Sequence, residues 1–260
     1  MVQSSGHHLR MRKIIVDKEI FEKFPGFNRG IIVIENLENG STPLTINSNI
    51  EIQKMLSEQM EQRAKEGESV LQSEFIKAWD EVYVGFGANP NKFPPSIKSL
   101  LKRVSKGGQI PFINSVVALF NIISLKYLIP CGGDDVDTIK GNLKLGIAKG
   151  DENFTSLGST ELEHPDVGEI IYFDDVTNNV MCRRWSWRNG DFSKITTETK
   201  KIIINVDGIG PASAEASAGK PASLIVSARD ELASMLEKYC GAKIQTDLLN
   251  AEKNEIEIEL

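Results

Sequence analysis

INSVVALFNIISLKYLIPCGGDDVDTIKG, residues 113–141, is the stretch whose reading decides the fold. Its apolar residues run at helical spacing from 116 to about 127, and Pro130 closes the run. Asn114 or Ser115 is placed to cap that helix. Asn114, Asn121 and Ser124 fall on roughly one face of it. A buried amide or hydroxyl costs about 1–3 kcal/mol when unpaired, so that face must meet partners. Two readings stand side by side: the three bond neighbouring backbone, or they line a pocket. The following CGGDD, residues 131–135, reads as a glycine loop. It lacks the GxxxxGK[ST] and GxGxxG patterns, and two adjacent aspartates repel phosphate. Gly132 and Gly133 instead permit close backbone approach, with Asp135 or Asp137 bracing a turn. Exposed N–H groups there could serve an oxyanion or an ester carbonyl.

Outward from this stretch, short strands are expected at 12–16, 30–35, 141–148, 168–174 and 179–188, and 195–206 is strand-like. Apolar spacing over 50–83 predicts a helical hairpin, or one long helix broken near Gly67, with a solvated face over 60–69. Ser96 caps a helix through Val104 that Gly107 and Gly108 stop. Ser227 opens a capping-box-like helix through Tyr239, closed by Gly241. Alanine, glycine and serine fill 208–222, and the acidic tail 248–260 is frayed or an edge strand. No internal repeat is visible. The reading is one α+β domain over 12–247, with mixed sheets packed against helices, an N-terminal sub-layer (12–74) and a core (75–241). Residues 1–11 read as an expression-tag scar or a disordered terminus, with a native start at Met11.

The 260 residues are 40 % hydrophobic and 25 % charged, which excludes a disordered chain, a coiled coil and a collagen-like repeat. The longest apolar run, 116–128, is broken by Asn121, Ser124 and Lys126 and is too short to span a bilayer. With no basic-then-apolar leader, a cytoplasmic protein is expected. Cys131, Cys182 and Cys240 stand far apart with no CxxC, against a disulfide framework or thiolate zinc site. Beyond His7 and His8 only His164 remains, a bystander or a lone base, so no metal and no cofactor are expected. Chemistry must rest on backbone groups, hydroxyls, amides, carboxylates or arginines. Glu152, Asp174 and Asp175 are candidate acids, each with a turn or solvated role as the plainer reading.

Net charge is -6, yet two basic islands stand out. One holds Lys92, Lys98, Lys102, Arg103 and Lys106 with no acid; the other holds Arg183, Arg184, Arg188, Lys194, Lys200 and Lys201 against Asp191 and Glu198. Within the second, RRWSWRNG (183–190) alternates aromatic and basic residues. It reads either as a surface that stacks bases and holds phosphates, or as a cation–π packed hairpin.

Taken together, several runs carry a resemblance. GFGANPNKFPPSIKSLLKRVSKGGQIPFINSVVALFNIISLKYLIPCGGDDVDTIKG, then LKLGIAKGDENFTSLGS, GEIIYFDD, CRRWSWRNGDFSKITTETK and IINVDG, resemble stand-alone relatives of the editing domain of phenylalanyl-tRNA synthetase, the fused third and fourth B domains of its β subunit. The likeness covers about 75–241. It implies an editing-domain-like α+β fold and a trans-acting aminoacyl-tRNA deacylase without ligase activity. It also leaves open a non-catalytic module that binds aminoacyl-tRNA or an amino acid. Family positions match at Asn114, Val117, Asn121 and Ser124, at Pro130, Gly133 and Asp135, and at Glu152 in the GE-type motif. The chain departs at Gly132, where the synthetase often has histidine, at Ala118 (aspartate in stand-alone relatives) and at Gly146 (arginine). The resemblance implies Asn121, Ser124, Gly132 and Gly133 as the catalytic group. Asn114, Asp135 and Glu152 would bind substrate; Arg103, Lys106, Arg184, Trp185 and Trp187 would bind the tRNA. An aminoacyl ester is already reactive, so placed water and oxyanion donors suffice without imidazole.

Overall fold

In the computed structural model, which describes residues 11–40, 43–210 and 220–259, the organising strand is β2, Phe27–Glu35. Its sequence FNRGIIVIE is buried along almost its whole length, as befits a strand covered on both faces. It pairs antiparallel with β10 (Ile202–Ile209) on one side and β11 (Lys243–Leu249) on the other. The strand β3 (Cys131–Asp135) adds to the outer edge of β10, so the sheet order is β11-β2-β10-β3.

Alternation then assigns the two faces. Ile32, Ile34, Ile202, Ile204 and Val206 point toward the helices. There they meet α2 (Pro43–Glu66), α5 (Ser115–Tyr127) and α6 (Lys220–Cys240), through Ile52, Leu119, Ile123, Leu232 and Leu236. Phe27, Ile31, Val33 and Ile203 point the other way, into a second apolar core. That core is completed by a six-stranded sheet, ordered β12 (Glu255–Glu259), β1 (Met11–Val16), β4 (Leu143–Ile147), β7 (Ile170–Asp174), β8 (Val180–Arg183) and β9 (Arg188–Asn189). Only β1 and β4 run parallel in it. The four-stranded sheet is therefore a middle layer between helices and a second sheet. Smaller elements are α1 (Lys18–Lys23), α3 (Glu74–Gly85), α4 (Ser96–Val104) and the ribbon β5 (Phe154–Thr155) with β6 (Leu162–Glu163). No described helix is long and apolar enough to cross a membrane.

The α+β class with mixed sheets holds, and several local expectations need correction. CGGDD is a strand, not a loop: β10 offers it a full backbone edge, and that pairing overrides the poor strand propensity of glycine and aspartate. The 50–83 segment does break at Gly67 (φ +61), but α2 begins at Pro43, and its supposedly solvated stretch buries Met60 and Arg63. Arg63 is drawn in by carbonyls it caps, donating to Leu125 O at 2.8 Å and Lys126 O at 2.9 Å at the end of α5. The last helix starts at Lys220, not Ser227. Within the 12–74 segment, expected as an N-terminal sub-layer, β1 joins the six-stranded sheet, β2 the middle sheet and α2 the helices. The tail supplies an edge strand, β12 on β1. Residues 1–10 of the terminal segment and 211–219 of the alanine-glycine-serine stretch lie outside the described residues.

The two glycines of β3 face unlike surroundings. A Cβ on Gly133 would sit 2.8 Å from Ile203 O and 2.9 Å from Ile204 Cγ1, whereas one on Gly132 would meet nothing within 4 Å. Gly133→Ala is accordingly expected to destabilise by about 1–3 kcal/mol and Gly132→Ala by under about 0.5 kcal/mol. Thermal or urea denaturation of the two variants checks this; equal effects would contradict the packing described.

Candidate functional site

Between the middle sheet and the six-stranded sheet, next to β3, lies a cavity of about 70 Å³. Arg29, Gly132, Asp134, Asn205 and Asp207 face it from one side, and Tyr172, Cys182 and Trp185 from the other. Ser96, Ser186 and Asn189 stand at its exposed rim.

Strand register places the charges. Arg29 and Asp207 are partners across β2 and β10. Arg29 Nε donates to Asp207 Oδ1 and Nη2 to Oδ2, both at 2.7 Å, and the Trp185 indole N–H adds a bond to Oδ2 at 2.9 Å. Asp134 Oδ1 accepts from the Ser193 hydroxyl at 2.7 Å. The Arg29 guanidinium also lies 5.1 Å from the Tyr172 ring centroid.

Not every polar atom is satisfied. Arg29 Nη1, Tyr172 Oη and Asn205 Oδ1 are buried without a hydrogen-bond partner. Each such atom costs about 1–3 kcal/mol, and a cluster of three in one cavity marks a place built for water or a ligand. The backbone adds a donor. Asp207 N–H donates to Pro130 O at 3.0 Å and Val136 N–H to Lys201 O at 3.1 Å, which sets the phase of the β3–β10 ladder. In that phase Gly132 and Asp134 bond β10, while Cys131, Gly133 and Asp135 turn their N–H groups outward. The Asp135 N–H is taken by Ser193 O at 2.9 Å, and Gly133 borders the cavity.

Burial sets the titration. Desolvation raises the Asp134 carboxyl to about 7, against the pull of the Ser193 hydroxyl and the Arg29 charge. Burial also pushes up the Tyr172 phenol, with Arg29 opposing. The Cys131 and Cys182 thiols are raised by burial too, so neither is an activated nucleophile. The cavity thus offers a cationic donor, a main-chain donor, a phenol, an amide oxygen and a carboxyl that changes charge near neutrality.

The sequence-derived residues distribute unevenly about this cavity. Gly132 and Gly133 line it. Asn121 and Ser124 lie on α5, on the helix side of the middle sheet, and are absent from the lining. Asn114 is the N-cap of α5, accepting from Val117 N–H at 2.9 Å and donating to Ile195 O at 3.4 Å. Asp135 accepts from Asp137 N–H at 3.0 Å and from the Thr199 hydroxyl at 2.7 Å. Glu152 accepts from Lys149 N–H at 2.8 Å and Gly150 N–H at 3.0 Å, bracing a turn. His164 Nδ1 lies 2.8 Å from the Glu152 carbonyl.

Arg103 and Lys106 are exposed beside the end of α4. The 183–190 run is a cation–π packed hairpin. Arg184 is buried against Glu169 and Asp166, with its guanidinium 3.8 Å from the Phe93 ring centroid. Trp185 is 2 % exposed, edge-on to Phe24, Phe27 and Trp79, and presents no face to a base. Trp187 is half-buried on Phe93. Left-handed backbone at Arg184 (φ 44) and Trp185 (φ 65) turns the indole inward, at a cost of about 1–2 kcal/mol per residue that its burial offsets.

Sequence reasoning missed Arg29, Asp134, Tyr172, Asn205 and Asp207. A signal was present: a lone arginine inside FNRGIIVIE, and Asn205 and Asp207 on one face of IIINVDGI, are polar residues in otherwise apolar strands.

The sequence profile described as B3/4 domain matches residues 78–241. No curated protein sequence matches the chain. Among solved structures it is similar to an N-terminal fragment of the phenylalanyl-tRNA synthetase β subunit from Pyrococcus horikoshii. The identity is 15 %, covering 89 % of this chain and 49 % of that one, with a TM-score of 0.45. The chain thus spans about half the length of that fragment. Among the described residues, no cluster of three or more His, Cys, Asp or Glu is placed to hold a metal ion.

The raised Asp134 pKa has a signed consequence. The neutral form favours folding, so its contribution is complete below pH 3.8 and is lost as pH rises through about 7. Relative to Asp134→Asn, the unsubstituted protein should lose up to about 4 kcal/mol between pH 4 and pH 8. Melting temperatures of both proteins across that range test this; parallel curves would show that Asp134 titrates normally.

Proposed function

The chain belongs to the B3/4 domain family, and from that premise we propose that it hydrolyses, in trans, the ester bond of mischarged aminoacyl-tRNA. The observation that carries this reading is the company Asp134 keeps. A carboxyl titrating near 7 shares one cavity with an unpaired arginine nitrogen and an outward main-chain N–H. General-base catalysis works best when the pKa lies near the operating pH. Ionised Asp134 takes a proton from a water molecule as that water attacks the ester carbonyl carbon. The charge on the carbonyl oxygen is received by Arg29 Nη1 and Gly133 N–H. The carbon–oxygen bond to the terminal ribose then breaks, and the proton held by Asp134 passes to the departing oxygen. Asn121 and Ser124, catalytic by family resemblance, support the sheet from behind in this scheme.

The tRNA would approach along α4. Its first residue, Ser96, stands at the cavity rim, and Arg103 follows seven residues on, about 10 Å away along the axis. Arg103 and Lys106 lie at that far end, exposed and suited to phosphates. Glycine at 132, where the synthetase domain often has histidine, favours a second reading: a module that binds aminoacyl-tRNA in the same cavity without turnover.

A panel of mischarged tRNAs separates the two. Acceleration over buffer, rising with pH through about 7, is expected, with Asp134→Asn lowering the rate about 100-fold or more and Asn121→Ala lowering it less than about 3-fold. Tight binding with no turnover of any ester would decide for the binding module. Charge reversal at Arg103 and Lys106 should weaken tRNA binding and flatten its salt dependence by roughly 1 in log–log slope per residue; an unchanged slope would remove both from the interface.

A further inference from the structure

We infer that the acyl group accepted by this cavity is small and carries a hydrogen-bonding side chain, of the size and kind of a seryl group, and that aromatic acyl groups are excluded. The inference rests on the hydrolytic reading of the same cavity and adds the substrate class to it.

Size is the first argument. An enclosed apolar cavity that binds benzene measures roughly 150 Å³; this one is about 70 Å³. Nor are its walls free to retreat. Trp185 is held by edge contacts to Phe24, Phe27 and Trp79 and by its indole bond to Asp207. Arg29 is fixed by two bonds of 2.7 Å to the same carboxylate. Tyr172 stands on β7 between paired neighbours, opposite Leu145 on one side and Cys182 on the other.

Polarity is the second. The unpartnered atoms are a donor (Arg29 Nη1), an acceptor (Asn205 Oδ1) and a hydroxyl that can act as either (Tyr172). Arg29 and Tyr172 are 1 % and 2 % exposed. With Arg29 Nη1 turned to the ester carbonyl, a methyl group would leave the Tyr172 hydroxyl and the Asn205 oxygen unmatched, while a hydroxyl both accepts and donates. Sites built to bond a hydroxyl reject analogues that lack it far more strongly than apolar pockets reject a size change.

Gly132 supplies the means of testing this without unfolding the protein. Its Cβ position is open and its φ is ordinary, so a valine there has room at Cβ and its methyls project into the cavity. Tyr172→Phe removes the buried hydroxyl beside the Asn205 amide and keeps the ring, so the variant should still fold.

The full chain is assayed on tRNA charged with serine, alanine or tyrosine. Seryl ester should be cleaved at least about 10-fold faster than alanyl ester and faster still than tyrosyl ester. Gly132→Val should abolish cleavage while melting normally, and Tyr172→Phe should shift preference from serine toward alanine. Tyrosyl ester cleaved as fast as seryl ester would overturn the size inference and leave deacylation standing. Alanyl ester cleaved as fast as seryl would overturn the hydroxyl inference. If no ester is cleaved, the hydrolytic reading falls. The ligand class is then read from melting shifts with free serine, alanine and tyrosine, where anything but a serine-selective shift that Gly132→Val removes overturns it.

Discussion

Arg29 and Asp207 face each other across β2 and β10, and the molecule is organised around that buried ion pair. A buried ion pair of this kind contributes little net stability over an apolar substitute, but removing one member alone costs about 3–5 kcal/mol. Its value is specificity. The third bond to the Asp207 carboxylate comes from Trp185, on the turn after β8, so the pair ties the middle sheet to the six-stranded one. Reaching that carboxylate requires the left-handed backbone at 184–185. Because Nε and Nη2 of Arg29 are committed to Asp207, Nη1 is left facing the cavity. The contact that joins the sheets therefore also creates the unmatched donor.

Much of this was legible in the chain, and the reasons differ by element. The α5 helix was readable because its apolar spacing, its Asn114 cap and its closing proline agree. The strands β2 and β10 were readable as β-rich runs. Strand β3 was not, since nothing in CGGDD favours extended structure on its own. It exists because an antiparallel neighbour lies within reach and because position 133 must carry no side chain. The 183–190 hairpin offered a true ambiguity, because the arginine and tryptophan composition that suits nucleic acid also suits internal cation–π packing.

The cavity was hidden for a further reason. Family likeness begins near residue 75, whereas Arg29 belongs to a strand outside the matched segment. Half of the charged centre thus comes from a part of the chain that motif comparison does not cover. Beside the glycine pair the outward N–H groups bordering the cavity are those of Cys131 and Gly133, on an edge strand instead of a loop.

The pairing of β12 with β1 governs how this protein can be made. Strand β1 leaves the ribosome long before its outer partner, residues 255–259. At common elongation rates the interval is on the order of tens of seconds. Throughout it, the Ile14 and Val16 edge lacks its native cover and can recruit foreign strands. When β12 does arrive, it brings Glu255 and Glu257 alternating with Ile256 and Ile258. The closing strand therefore seals the apolar face with Ile256 and Ile258, and Glu255 and Glu257 on the opposite face gather around Lys13, so charged side chains flank the new edge and discourage further addition.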